Sequence, residues 1–320
     1  MSAKPVLWLP RRVSDATIAR ARESYDVILN EADVPASADE IVAMSARADA
    51  VMPCHSENFS AEVVARLDPR LKIVANHSVG VDHCDLPALK EKGIAVTNTP
   101  DVLSDATAEI AMLLMLGAAR HAVAGDHMVR TGSWKFWSPS FMVGKQVTGS
   151  RIGIVGMGRV GRVMAARARG FGMDVHYCNR TRLPPELEAG ATFHADLDSL
   201  LAVSEFLSLH CPATPETENL MNADRLAKLP SGAILINTAR GALVDEAALL
   251  EALDSGRLAA AGLDCFRVEP GGNPAFAEHE NIFMLPHIGS ATTRTRDAMG
   301  FRALDNLDAF FAGETPGDLL

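Results

Sequence analysis

Three residues at the ends of hydrophobic runs offer chemistry that fits together. They are Arg240 in Ile236-Asn-Thr-Ala-Arg240-Gly-Ala-Leu-Val-Asp245, Glu269 in Gly262-Leu-Asp264-Cys-Phe-Arg-Val-Glu269-Pro270, and His287 in Leu285-Pro-His287-Ile-Gly289-Ser290. One permanent cation, one acid and one group that titrates near neutrality make the set needed to reduce a carbonyl beside a carboxylate. Arg240 can clamp the carboxylate and polarise the ketone oxygen. Protonated His287 can deliver a proton as hydride reaches the carbon. Glu269 can orient the imidazole and favour its charged form. Singly, each has an ordinary explanation, such as a surface ion pair or a core histidine. All three fall just beyond predicted strands, where open α/β sheets bind ligands.

A second group of residues suits a dinucleotide. Gly156-Met157-Gly158-Arg159-Val160-Gly161 follows the apolar run Arg151–Val155 and opens a helical stretch through Ala166. In that context Gly156 permits the turn, Gly158 lets backbone approach a pyrophosphate, and Gly161 lets helix and strand pack closely. The phosphates then meet unpaired N–H groups at a helix N-terminus. The next strand, Asp174–Cys178, ends in Asn179-Arg180-Thr181-Arg182 rather than in the acid that hydrogen-bonds the ribose 2′-OH of NAD. A carboxylate there would repel a 2′-phosphate, whereas guanidinium groups chelate one. The expected cofactor is NADPH, with NAD less favoured.

The elements needed to position these groups are legible as short Val/Ile/Leu runs alternating with amphipathic stretches. This is the pattern of parallel sheets covered by helices, and the fold class is α/β with two doubly wound domains. The first series of strands is predicted at Val6–Trp8, Val27–Leu29, Ala50–Met52, Lys72–Ala75 and Ile94–Val96. Turn chemistry at Asn98-Thr99-Pro100-Asp101 marks a boundary, and one long helix should run from Ser104 or Asp105 toward Arg130. The second series is predicted at Ile152–Val155, Asp174–Tyr177, Ala191–Phe193, Glu205–Leu209, Ala233–Asn237, Ala260–Asp264 and Ile282–Leu285. A last helix is expected from a cap at Ser290 toward Phe311, with Met299, Phe301, Leu304, Leu307 and Phe310 on its apolar side. Between Gly132 and Gly144 the chain is rich in aromatics (Trp134, Phe136, Trp137, Phe141), which suits a packed connecting loop or, more sharply, a subunit contact or pocket lining.

Composition narrows the function classes. The 320 residues suffice for about two domains, and 48% hydrophobic with 22% charged residues is a globular balance. Thirty Lys and Arg against forty Asp and Glu leave a net charge of −10, the wrong sign for a nucleic-acid or anionic-membrane surface. The most apolar stretch, Ile110–Ala119, is too short to span a bilayer, and no signal segment is visible, so a cytoplasmic location is expected. Five scattered cysteines with no C-x-x-C pair support neither a disulfide framework nor a zinc ribbon. The cluster His77, Asp82, His83, Cys84, Asp85 has metal-capable side chains but no partner ligands elsewhere, so no metal is expected.

With these motifs in place, the sequence closely resembles the D-isomer-specific 2-hydroxyacid dehydrogenase family. The likeness covers nearly the whole chain and includes Ser78-Val79-Gly80-Val81-Asp82 and Thr107-Ala-Glu109. It implies a flavodoxin-like substrate domain (1–99 plus 290–320) with a Rossmann dinucleotide-binding domain (100–289) inserted in it, and an active site in the cleft. It also implies that Arg240, Glu269 and His287 are the family's catalytic Arg, Glu and His, and that the backbone of Val79 and Gly80 holds the substrate carboxylate. Asp264 would meet the nicotinamide carboxamide. Thr107, His210-Cys211-Pro212, Thr217, Thr238, Ala239 and Gly289 would line the cofactor, and the chain would work as a homodimer.

Within the family the Trp-rich stretch and Asn-Arg-Thr-Arg look most like glyoxylate/hydroxypyruvate reductases, acting on small 2-oxo acids. The missing acid argues against the NAD-using phosphoglycerate and D-lactate branches, and Glu269 stands where formate dehydrogenases carry Gln. Alternative readings are an NAD-using dehydrogenase for another 2-oxo acid, or a nucleotide-sensing partner protein of the same fold. The latter would be expected to add a peptide-binding surface or a long tail, and the sequence displays neither.

Overall fold

A computed structural model describes residues 4–320, and its contacts divide the chain into two compact units. Among the described residues, one comprises 4–103 and 290–320, the other 104–289.

The first unit contains β1 (Val6–Leu9), β2 (Asp26–Leu29), β3 (Ala50–Val51), β4 (Ile73–Ala75) and β5 (Ala95–Thr97), all parallel, in the order β2-β1-β3-β4-β5. Each strand is apolar on both faces because helices cover both. Trp8, Val51 and Val74 point into one cluster, while Leu7, Leu9, Ile73 and Ala75 point into the other. The C-terminal helix Thr293–Phe311 packs on the second cluster through Ala303, Leu304 and Leu307. Its cap is Thr292, whose Oγ1 accepts the Thr295 N–H at 3.1 Å, two residues beyond the predicted Ser290.

The second unit contains β6 (Arg151–Val155), β7 (Asp174–Cys178), β8 (Thr192–His194), β9 (Phe206–Leu209), β10 (Ala233–Asn237), β11 (Leu258–Leu263) and β12 (Ile282–Met284). They form one parallel sheet in the order β12-β11-β10-β9-β6-β7-β8. The order reverses at β6, whose neighbours are β7 and β9, and such a switch point opens a crevice at the carboxyl ends of the strands. Alternation along β10 sorts Ile234 and Ile236 into one core cluster and Ala233 and Leu235 into the other.

One predicted element is divided. The long helix stops at Ala119 and a second helix, Ala122–Arg130, leaves at 70°, with His121 between them in the left-handed region (φ 54°). The first helix is ended from outside its own sequence. The Lys145 N–H donates to the Ala119 carbonyl at 2.8 Å, and a Cβ on Gly144 would lie 2.3 Å from that oxygen. Among the described residues no single helix is long and apolar enough to cross a membrane.

Candidate active site

Arg240 sits at the end of β10 on a turn braced by its neighbours. Asn237, fully buried at the last position of β10, donates from Nδ2 to the Arg240 carbonyl (2.8 Å) and accepts the Ala239 N–H on Oδ1 (3.0 Å). Gly241 allows the turn to lie on the next loop, since a Cβ there would be 2.0 Å from the Phe266 carbonyl carbon. Asn237 and Gly241 were not singled out by sequence reasoning. The available signal was a polar residue closing an otherwise apolar strand.

Glu269 and His287 come together from the segments after β11 and β12. Glu269 Oε2 lies 2.6 Å from His287 Nδ1, and its Oε1 accepts the Phe266 N–H at 2.8 Å. The carboxylate is thus fixed from one side and fixes the ring on the other. His287 itself is in the left-handed region (φ 53°), costly for a residue with a Cβ and sustained by what surrounds it. Asp264, 2% exposed at the end of β11, accepts the Ile288 N–H on Oδ1 (2.8 Å) and the Gly289 N–H on Oδ2 (2.7 Å). Burial raises the Asp264 pKa, against the pull of those two N–H groups and of His287. Expected to meet a carboxamide, Asp264 has both oxygens engaged in holding the turn that carries His287. Thr107, buried on the helix Ser104–Ala119, lies beside Gly289, with a Cβ at that glycine 3.4 Å from its Oγ1.

The glycine loop follows β6 at the switch point. Gly156 has φ 90°, and a Cβ on it would lie 2.7 Å from the Cys211 nitrogen. A Cβ on Gly161 would lie 2.5 Å from the Gly156 carbonyl, whereas one on Gly158 would meet nothing within 4 Å. Two glycines are therefore needed for packing, and the middle one faces open space. Gly158 caps the helix Arg159–Gly170 without a side-chain hydrogen bond, and no acid occupies the first turn. That is the electrostatic setting in which helix N–H groups take an anion. Val160, in that first turn, is half-buried against the core.

Around the loop, His210 is held neutral, its pKa pushed down to about 4 by burial, with Nε2 2.8 Å from Ser208 Oγ. Burial pushes the Cys211 thiol up to about 11, so it packs as an apolar group. Thr217 Oγ1 donates to the Pro212 carbonyl (2.8 Å) and accepts the Thr214 N–H (2.8 Å), closing the loop beyond β9. The buried Thr238 hydroxyl has no hydrogen-bond partner among the described residues.

The four residues after β7 divide. Asn179 Oδ1 accepts the Met157 N–H at 2.6 Å, tying the strand end to the glycine loop. Arg180 and Thr181 are exposed, and Arg180 makes no hydrogen bond or salt bridge among the described residues. Arg182 is engaged elsewhere. Its Nε and Nη2 donate to Glu188 Oε1 and Oε2 at 2.7 and 3.1 Å, and Glu188 also accepts the Tyr177 hydroxyl at 2.6 Å. These donors hold the Glu188 carboxyl below its usual pKa, Arg182 contributing most.

In the first unit, the loop after β4 presents Val79 and Gly80 with both carbonyls tied back. Asn98 Nδ2 donates to the Val79 carbonyl (2.9 Å) and Ser78 Oγ to the Gly80 carbonyl (2.7 Å). Neither N–H of this pair donates to another described residue. The metal-capable stretch beside it is used otherwise. His83 Nε2 lies 2.8 Å from Asn76 Oδ1, and Asp85 caps a helix by accepting the Ala88 N–H.

A family model described as D-isomer specific 2-hydroxyacid dehydrogenase, NAD binding domain, matches residues 112–289. A glycerate dehydrogenase of Hyphomicrobium methylovorum is 45% identical over 98% of both chains. A glyoxylate reductase of Thermococcus kodakarensis is 41% identical over 99% of this chain and 96% of its own. Among solved structures, the NADPH-dependent glyoxylate/hydroxypyruvate reductase of Sinorhizobium meliloti, in complex with NADP and malonate, superposes with a TM-score of 0.88. It is 31% identical and covers 99% of this chain and 97% of its own.

Proposed function

The chain belongs to the D-isomer specific 2-hydroxyacid dehydrogenase family, and from that premise we propose that it reduces glyoxylate or hydroxypyruvate to the 2-hydroxy acid with NADPH. The observation that carries this reading is the 2.6 Å pairing of His287 Nδ1 with Glu269, beside an Arg240 held by Asn237. With Nδ1 paired to a carboxylate the ring is fixed in orientation, and Nε2 is the nitrogen that gives a proton to the ketone oxygen. Arg240 binds the substrate carboxylate and draws charge toward the carbonyl oxygen as it becomes an alkoxide. The N–H groups of Val79 and Gly80 offer donors for a substrate carboxylate.

NADPH, when bound, supplies the hydride. The helix N-terminus at Gly158 and Arg159 takes the pyrophosphate, Asn179 steadies that loop, and Arg180 with Thr181 takes the 2′-phosphate. Initial rates with NADPH and NADH against glyoxylate, hydroxypyruvate, pyruvate and phenylpyruvate test the assignment. Glyoxylate and hydroxypyruvate with NADPH should give the highest kcat/KM. NADPH binding without oxidation by any of the four acids would favour a nucleotide-sensing role instead.

We also propose that the enzyme is a homodimer. The helix Ala122–Arg130 buries none of its side chains, and the segment after it exposes Trp134, Phe136 and Trp137, the last 72% accessible. A packed connecting loop would have covered these rings, whereas a contiguous exposed aromatic surface suits a second copy of the chain. Light scattering should give twice the chain mass, and Trp137→Ser should shift it toward the monomer. A monomeric wild type would overturn the assignment.

A further inference from the structure

Two imidazoles at the outer edge of the seven-stranded sheet take no part in the site above. His176 lies on β7 and His194 ends β8, diagonal neighbours in a register that pairs His176 with Thr192 and Cys178 with His194. His176 Nδ1 and His194 Nε2 face each other at 3.0 Å. The two outer nitrogens are engaged by oxygen. His176 Nε2 lies 3.1 Å from Asp174 Oδ2, and His194 Nδ1 lies 3.1 Å from Ser199 Oγ.

The network assigns the tautomers. A carboxylate only accepts, so His176 Nε2 carries a hydrogen. The single Ser199 hydroxyl proton has two acceptors on Asp196, the carbonyl oxygen at 3.0 Å and Oδ2 at 3.1 Å. With its proton directed there, Ser199 accepts from His194 Nδ1–H. In that state both inner nitrogens are bare; when the hydroxyl turns to His194 Nδ1 instead, His194 Nε2–H donates to His176 Nδ1 at 3.0 Å, and a metal ion between the rings takes the place of that one proton. Imidazole nitrogens bind zinc at about 2.0–2.1 Å, which puts neighbouring ligand nitrogens of a tetrahedral site about 3.3 Å apart, a few tenths of an ångström beyond the spacing of this pair. An oxygen acceptor on the far ring nitrogen is also what steadies metal-bound histidines.

We propose that His176 and His194 bind a divalent transition-metal ion of the Zn²⁺ or Cu²⁺ class, with solvent oxygens completing its coordination. The two ring nitrogens are its only protein ligands among the described residues, no third ligating group being gathered around them. The ion ties the edge strand β8 to β7, whose continuation is Asn179 and Arg180.

The test uses the full chain after treatment with EDTA. Calorimetric titration with Zn²⁺ should show one equivalent bound at micromolar concentration. Cu²⁺ should give an electron paramagnetic resonance spectrum split by two nitrogens, copper being the tightest binder of the series. His176→Asn and His194→Ala should each abolish both signals, with His194→Gln as the substitute if the alanine variant does not fold. Ser199→Ala, which leaves both ligands, should weaken Zn²⁺ about 10- to 100-fold. His287→Ala should leave binding unchanged. Binding only at millimolar metal, binding indifferent to His176 and His194, or a copper spectrum without two-nitrogen splitting would overturn the proposal. The last result would mean that the pair shares a proton.

Discussion

Two regions at the strand ends of the second unit, both facing ligands in the proposed reaction, are built in opposite ways. After β10, β11 and β12 nearly every polar group holds another. Asn237 braces the Arg240 turn, Asp264 grips Ile288 and Gly289, and Glu269 joins the Phe266 backbone to His287. After β7, Asn179 and Arg182 are tied into the protein while Arg180 between them stands in solvent. Reaction geometry is thus interlocked, so that shifting one residue shifts the others. In the proposed reaction, cofactor choice would rest on a side chain that can be exchanged without disturbing the sheet.

His287→Ala tests the interlocked end most directly. It should cut the reduction rate about 100-fold or more, the usual scale for losing a general acid, with cofactor affinity little changed. Steady-state rates and cofactor titration by fluorescence separate the two. Turnover near that of the wild type would remove His287 as the proton donor.

Gly241→Ala asks whether that end is coupled by packing alone. The added methyl would need space already taken by the Phe266 carbonyl, at 2.0 Å, so the Arg240 turn must move. A displacement of about 1 Å at a reacting group costs on the order of 100-fold. The fall should appear in kcat/KM for the oxo acid while NADPH affinity holds. A change in thermal midpoint with unaltered kinetics would show that the turn has slack.

Neither Asn237 nor Gly241 stood out in the sequence as a site residue, although both lie within a motif that did. Motif spacing singled out Arg240, Glu269 and His287 because their chemistry is specific, but the groups that brace them act through backbone contacts that spacing does not reveal. The same limit governed the fold. All twelve strands lie within two residues of their expected bounds, since β-branched runs between turn signals are local features. The break after Ala119 was not legible, because its cause is the Gly144-Lys145 segment packing against that carbonyl from more than twenty residues away. In sequence Arg180 is the favoured phosphate contact, because it directly follows the position of the missing acid, with Arg182 able to share the load. Only the fold reveals that Arg182 is taken up by Glu188, which also accepts the Tyr177 hydroxyl.

Arg180→Ala probes the open end. A hydrogen bond to a charged group is worth roughly 1.5–3 kcal/mol, so NADPH should bind about 10- to 100-fold more weakly while NADH is nearly unaffected. Adding Asn179→Asp should lower NADPH further by repulsion and favour NADH. The carboxylate can keep the Met157 N–H on one oxygen and offer the other to the ribose hydroxyls. Equal weakening of both cofactors by Arg180→Ala would separate Arg180 from the 2′-phosphate.

Arg182→Ala should have the smallest effect on binding and so sharpens the contrast within a single strand end. Its guanidinium is spent on Glu188, and NADPH affinity should change by no more than about twofold, the range of an ordinary surface substitution. The loss appears instead in stability, with a definite pH dependence. Arg182 and the Tyr177 hydroxyl hold the folded-state pKa of Glu188 below its ordinary value of about 4.3. A depressed carboxylate stabilises the fold fully above the unfolded pKa and stops doing so as pH falls through the folded one. The wild type should therefore melt above Arg182→Ala at neutral pH, and the gap should close only below about pH 4.3, as Glu188 takes up its proton. Thermal midpoints of both proteins from pH 7 downward measure that gap. A gap independent of pH would mean that Arg182 stabilises by packing on the Phe193 ring, over which it lies at 5.7 Å, rather than by charge. A loss of NADPH affinity as large as that of Arg180→Ala would make both arginines phosphate ligands.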